Sequence, residues 1–394
     1  MKELWLFTRM YPEGAGEAFL ANALPVWCEA FSKVRVFPMF RGKGYAELPP
    51  NVQVEHLWSD AYRTLSVPAT LQRVRRFTAL LAQRKGDGGP AVGVSHARQL
   101  LYKSDVVTRQ LMPMYDPERV AVLSVWMEDW VNVLGLVKEQ HPALRFASMA
   151  HGSDLYVERH SSGRIAFRAQ QMEWVDRVIC IAQHGAGYLR TAYPVLAGKV
   201  TVAHLGTVDH GQAPWVPDPT LRIVSCAYLR PPKRVDMIAQ AMQQVERPVH
   251  WTHFGDGPER AALERAVSDL PPHITFTYQG AVAPPLITQW YRTHPVDLFV
   301  HLSGHEGVPV SMMEAIGFGI PVVANAVGGV GELLAPSVGV LLPATTSADD
   351  LAAWIDGPGP DKWRTQEMRH EVRRYWSQHF SAQRNFQYMI TRFP

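Results

Sequence analysis

Cysteine is scarce. Cys28, Cys180 and Cys226 are the only three in 394 residues, and no two form a CxxC pair. So sparse and odd a count argues against a disulfide scaffold and for a reducing compartment. Long apolar runs are also missing: no stretch approaches the roughly 18 residues that would cross a bilayer. The N-terminal MKELWLFTRMYPEG has an apolar segment too short for a signal peptide and no small-residue cleavage site, so it reads as a first strand. There is no excess of one charge. The net +3 is too small to imply nucleic-acid binding. No HExxH, DxD or GxSxG occurs, which removes the usual signatures of zinc proteases and serine hydrolases. His301, His305 and Glu306 are close enough in sequence to suggest a metal. However, they border a strand-like run and need not share a face, so no metal site is expected. These absences point to a cytoplasmic enzyme with no nucleic-acid partner and leave open a peripheral contact at the inner face of the cell membrane.

What is present reads as an α/β protein. Hydrophobic residues make up 47% and charged residues 19%, as in ordinary globular chains, and 394 residues exceed one normal core. Short apolar runs alternate with helical patterns. They are ELWLF (3–7), KVRVFPM (33–39), VAVLSVW (120–126), RFASMA (145–150), RVICIA (177–182), KVTVAHL (199–205), LRIVSCA (221–227), HWTHFG (250–255), ITFTYQG (274–280), DLFVHL (297–302) and IPVVAN (320–325). The alternation predicts βαβ units and parallel sheets. The Pro- and Gly-bearing stretch 207–220 reads as an interdomain linker. The expected layout is a Rossmann-like domain over 1–208, a second over 218–375 and a helical segment over 376–394. Ligand crevices would lie at the carboxyl ends of the strands, with the main cleft between domains.

The most informative stretch is HLSGHEGVPVSMMEAIGFGIPVVAN, residues 301–325. Glu306 follows a buried strand. Glu314 lies eight residues on, in a short helix beginning near Pro309, which suits a first helical position. Amides at a helix start attract phosphate, and nearby carboxylates can accept hydrogen bonds from sugar hydroxyls. The pair therefore suits an anionic, polyhydroxylated molecule such as a nucleotide sugar. Lys233, Arg230 and Arg234 place cations at a helix start, against its dipole, which also suggests an anionic ligand. Gly14-Ala15-Gly16 follows the first strand and allows close approach to phosphate. Glu17 behind it could equally be a favourable helix-dipole charge. His151 follows a strand and faces its carboxyl end, and Asp154 could bind hydroxyls or cap the next helix. Residues 71–86, LQRVRRFTALLAQRKG, form a basic amphipathic pattern suited either to a surface helix or to docking on anionic lipid.

Five motifs in order, YPEGAGEAF (11–19), AHGSDLY (150–156), LRPPKRVDMIAQA (229–241), FGDGPE (254–259) and the Glu306–Glu314 stretch with PVVANAVGGVGELL (321–334) after it, resemble glycosyltransferase family 4. The resemblance is to the subset acting in assembly of bacterial surface polysaccharides and exopolysaccharides. It implies the GT-B architecture of two facing Rossmann-like domains, with acceptor bound by 1–208, donor by 218–375 and the 376–394 helix free to pack back on the first, and a retaining, metal-independent sugar transfer from a nucleotide diphosphate sugar. No cofactor is implied beyond that co-substrate, with UDP or GDP as its nucleotide. The hydroxyl acceptor could be a glycan, a lipid-linked glycan or a small molecule. By the same resemblance His151, Lys233 and Glu306 are catalytic. Gly14, Ala15, Gly16, Arg230, Lys233, Arg234, Gly255, Val282, Glu306, Gly307, Val308 and Glu314 bind the donor. Glu17 and Asp154 face the acceptor. The family has an Arg where this chain has Tyr228, so Arg230 and Arg234 are candidates to replace it. Two rival readings follow from the same residues: a nucleotide-sugar epimerase of this fold, and a catalytically degenerate partner in a polysaccharide assembly complex.

Overall fold

The computed structural model describes residues 2–42, 48–56, 94–160, 163 and 165–394. The basic segment 71–86 lies outside the described residues. The chain divides into two compact units, Met1–His204 with Phe386–Pro394, and Leu205–Asn385.

Unit 1 is built on a parallel sheet. Its strands are β1 (Glu3–Thr8), β2 (Lys33–Pro38), β3 (Val52–Val54), β4 (Val120–Ser124), β5 (Ala147–Ala150), β6 (Arg177–Cys180) and β7 (Val200–Val202), in the order β3-β2-β1-β4-β5-β6-β7. Leu4, Trp5, Leu6 and Phe7 of β1 are all buried, because helices cover both faces of a parallel sheet. Phe7 stacks on Phe37 of β2 at 4.8 Å and meets the edge of Trp130 at 4.8 Å.

Unit 2 repeats the plan. β8 (Leu221–Cys226), β9 (Val249–Phe254), β10 (Ile274–Gly280), β11 (Leu298–His301), β12 (Val322–Asn325) and β13 (Gly339–Leu342) form a parallel sheet in the order β10-β9-β8-β11-β12-β13. All eleven apolar runs named above form strands. Segment 207–220 belongs to unit 2. Ala213 N–H donates to the Phe318 carbonyl, and Trp215 Nε1 donates to Asp297 at 2.9 Å. Both sheets reverse direction of growth at one point, between β1 and β4 and between β8 and β11. Loops diverge there at the carboxyl ends of the strands, which leaves a crevice for ligand.

Candidate active site

In unit 2 the switch point brings Lys233, from the loop after β8, to Glu306, from the loop after β11. Lys233 Nζ lies 2.5 Å from Glu306 Oε1, and His301 Nε2 reaches the same oxygen at 2.7 Å. Gly304 N–H donates to the Pro232 carbonyl at 2.8 Å, which ties the two loops together. Burial of Glu306 pushes its pKa up, but His301 and Lys233 outweigh that and bring it down to about 2. It is therefore a carboxylate at any physiological pH. Gly328, in the loop after β12, has φ +52°, and a Cβ there would sit 2.1 Å from the Glu306 carbonyl oxygen. Only glycine permits that approach.

Pro309 caps the helix Val310–Gly317 as the residue just outside it, not as its first helical residue. Glycine at 319 leaves the helix with φ +75°. Among the described residues, no hydrogen bond engages the Gly307 and Val308 amides, which precede this helix start. Glu314, one turn in, is half-buried, and no hydrogen bond engages its carboxylate among the described residues. Burial pushes its pKa up to about 7, and Cys226 and Tyr291 feel its charge.

The two candidate arginines differ. Arg234 has φ +51°, and its guanidinium reaches the carbonyls of Ala344 and Thr346 at 3.5 and 3.3 Å. Arg230 is exposed, with its guanidinium 4.7 Å from the ring centre of the exposed Tyr228. Gly255, with φ +137°, gives its N–H to the Gly280 carbonyl at 2.8 Å, and a Cβ there would strike the Ala227 carbonyl. Its amide is thus committed to joining the ends of β9 and β10, and it serves by close packing. Val282, half-buried, follows β10 in the adjoining loop.

In unit 1 the structure gathers Glu17, Phe19, Trp126, His151 and Asp154. His151 is buried, with its ring 4.4 Å from Trp126 and 5.0 Å from Phe19. Burial lowers its pKa to about 4, against the raising effect of the Val125 carbonyl, so the ring is neutral. Nε2 lies 3.0 Å from that carbonyl. A carbonyl only accepts, so Nε2 carries the proton and Nδ1 keeps a lone pair.

Glu17 and Asp154, expected to face the acceptor, also hold their own loops. Glu17 accepts from the N–H groups of Arg9, Met10 and Tyr11 and from Trp126 Nε1, at 2.7–2.8 Å. Asp154 accepts from His151 N–H at 2.6 Å and Met127 N–H at 2.8 Å. Both carboxylates are buried and accept hydrogen bonds from the chain itself, which braces the loops they join. Gly14 is half-buried beside Met10, Ala15–Glu17 form one 3-10 turn, and Gly16 is exposed with open space where a Cβ would lie. Sequence reasoning dismissed His301 along with the metal reading. Its alternative signal was available, since it ends a strand five residues before Glu306. Among the described residues no group of three or more His, Cys, Asp or Glu is arranged to hold a metal.

Residues 220–356 match the family described as Glycosyl transferases group 1. A GDP-mannose-dependent alpha-mannosyltransferase from Mycobacterium tuberculosis is 32% identical over 130 residues, which are 33% of this chain and 32% of that protein. The alignment therefore spans about a third of the relative's length. Among solved structures, Anabaena HepE in complex with UDP and glucose superposes with a TM-score of 0.70 at 15% identity, covering 99% of both chains. Sucrose-phosphate synthase from Thermosynechococcus elongatus gives 0.69 at 15% identity, covering 99% of this chain and 98% of that one. The span that holds Lys233, Glu306 and Glu314 is thus a group 1 glycosyltransferase domain, in a chain of the GT-B fold.

Proposed function

We propose that this chain is a retaining glycosyltransferase that moves a sugar from a nucleotide diphosphate sugar to a hydroxyl acceptor in glycan or glycoconjugate biosynthesis. The observation that carries this reading is the pairing of two unlike carboxylates at the unit 2 switch point. Glu306 is ionised and braced by Lys233 and His301, while Glu314 is half-buried without a partner. Glu314 accepts from the ribose hydroxyls. Glu306 accepts from hydroxyls of the transferred sugar. Lys233 and the amides of Gly307 and Val308 meet the diphosphate and stabilise its charge as the bond from the anomeric carbon to the phosphate oxygen breaks. Arg230, held over Tyr228, adds a second cation. The departing phosphate takes the acceptor proton, and the acceptor oxygen bonds to the anomeric carbon on the face just vacated. In unit 1 the Nδ1 lone pair of His151 accepts from a substrate hydroxyl. The donor is a UDP or GDP sugar: the mycobacterial relative is named for GDP-mannose, and Anabaena HepE was solved with UDP and glucose. No metal is assigned a role.

Thermal-shift screening with UDP, GDP and ADP sugars tests donor choice, because a bound donor stabilises the fold by mass action. A radiolabelled-donor assay then tests transfer. Glu314→Ala should weaken nucleotide binding, and Glu306→Ala should mainly slow transfer, by about 100-fold if it acts on the transition state. Full transfer by both variants would remove the site. Label converted to an epimer with no acceptor present would indicate an epimerase instead. Tyr228 in the family's Arg position favours the degenerate-partner reading, which predicts nucleotide binding without any turnover.

A further inference from the structure

His301 is the last residue of β11, a strand that β8 and β12 pair on its two sides. Its side chain is 4% exposed, and Nε2 lies 2.7 Å from Glu306 Oε1. Lys233 Nζ meets the same oxygen, but from the last position of the 3-10 turn Pro231–Lys233 and with its side chain 29% exposed. One carboxylate oxygen is thus held by two donors on unlike supports. The histidine stands on an interior strand, and the residue after it is pinned because Asn325 Nδ2 donates to the Leu302 carbonyl at 3.0 Å. The lysine reaches in from the rim on a flexible stem.

A donor diphosphate acts on these two supports differently. It carries more negative charge than one carboxylate, so its arrival draws the Lys233 ammonium off Glu306. The same charge repels Glu306 and favours its protonated form, because a like charge nearby disfavours ionisation. A Glu306 braced by Lys233 alone would therefore lose its brace as the sugar enters. His301 is the brace that stays. An ionised carboxylate only accepts, so Nε2 carries the proton and donates it to Glu306. Burial raises the Glu306 pKa, and of the two residues that bring it down His301 acts more strongly than Lys233.

We infer that His301 is a positioning residue of the donor site, which keeps the Glu306 carboxylate aimed at the sugar while Lys233 passes from Glu306 to the diphosphate. The inference rests on the transferase reading above and adds to it a residue outside the Glu306–Glu314 span. Isothermal titration calorimetry on the full chain provides the test, with UDP, UDP-glucose, GDP and GDP-mannose as probes. The quantity read is the Kd of each sugar nucleotide divided by the Kd of its free nucleotide. His301→Leu removes the N–H at similar size and should raise that ratio about tenfold, the loss of one hydrogen bond to a charged group. Affinity for UDP or GDP alone should be unchanged. His301→Gln puts an amide N–H at the reach of Nε2 and should restore the wild-type ratio, whereas His301→Asn, shorter by one carbon, should not. In a Glu306→Ala background, His301→Leu should move the ratio no further, because the two residues act through one contact. The Gln and Asn pair decides the matter if His301→Leu does not fold. Equal weakening of nucleotide and sugar nucleotide, an unchanged ratio, no rescue by His301→Gln, or a full further effect in Glu306→Ala would overturn the inference. So would a wild type that binds a nucleotide but neither sugar nucleotide. Failure of all four probes to bind the wild type would instead overturn the transferase reading.

Discussion

Glu306 and Glu314 are the same side chain held in opposite states by their neighbours. Lys233 and His301 hold Glu306 at about 2, whereas Glu314, without a partner, is pushed by burial up to about 7. Between its ordinary value of 4.5 and about 7, folded Glu314 keeps a proton that the unfolded chain has released. Its contribution to stability therefore falls as pH rises through that window and stays reduced above it. Glu314→Gln removes this loss. The melting temperature of the variant relative to wild type should rise between pH 4.5 and pH 8, while its affinity for nucleotide falls. A difference that does not change with pH would show that Glu314 is not held protonated. A site residue that costs stability is what a binding role predicts, because the missing partner arrives with the ligand.

The strand-turn-helix elements convert these residues into a site. Apolar runs show where strands end, and strand ends at a switch point are where ligands bind. By that reasoning the positions of Lys233, His151 and Glu306 after strands, and of Glu314 in a short helix, were legible in the sequence. Two strands were not: Val52–Val54 and Gly339–Leu342. Both are edge strands, and the first is half-exposed, so their burial demand on the sequence is weak. The loop after β12 was legible only as glycine-rich. That Gly328 presses on the Glu306 carbonyl emerges from packing. Gly328→Ala meets both a left-handed φ and a 2.1 Å collision, and it should cost about 1–3 kcal/mol. It should also disturb Glu306, which denaturant melts and transfer rates would register together. Unchanged transfer at lowered stability would separate the loop from the chemistry.

At the scale of the whole molecule, the last nine residues count with unit 1. Phe386, fully buried, meets the edge of Trp27 at 5.7 Å, and Phe393 stacks near Phe31 at 6.3 Å. Phe386→Ala should destabilise unit 1 by about 3–5 kcal/mol, as for other buried Phe→Ala changes. Nucleotide binding in unit 2 should persist. Calorimetry with and without a UDP or GDP sugar checks both, and loss of nucleotide binding would contradict the assignment. No described helix is long and apolar enough to cross a membrane.

The sequence alone determined the two parallel sheets, the order of the elements and the positions of the paired glutamates, because hydrophobic periodicity and turn residues act locally. Tertiary structure decided which polar atoms are already satisfied. It gave Glu17 and Asp154 backbone amides to accept from, and set His301 and Lys233 on Glu306. Hydrogen-bond satisfaction depends on neighbours distant along the chain, and no local pattern encodes it.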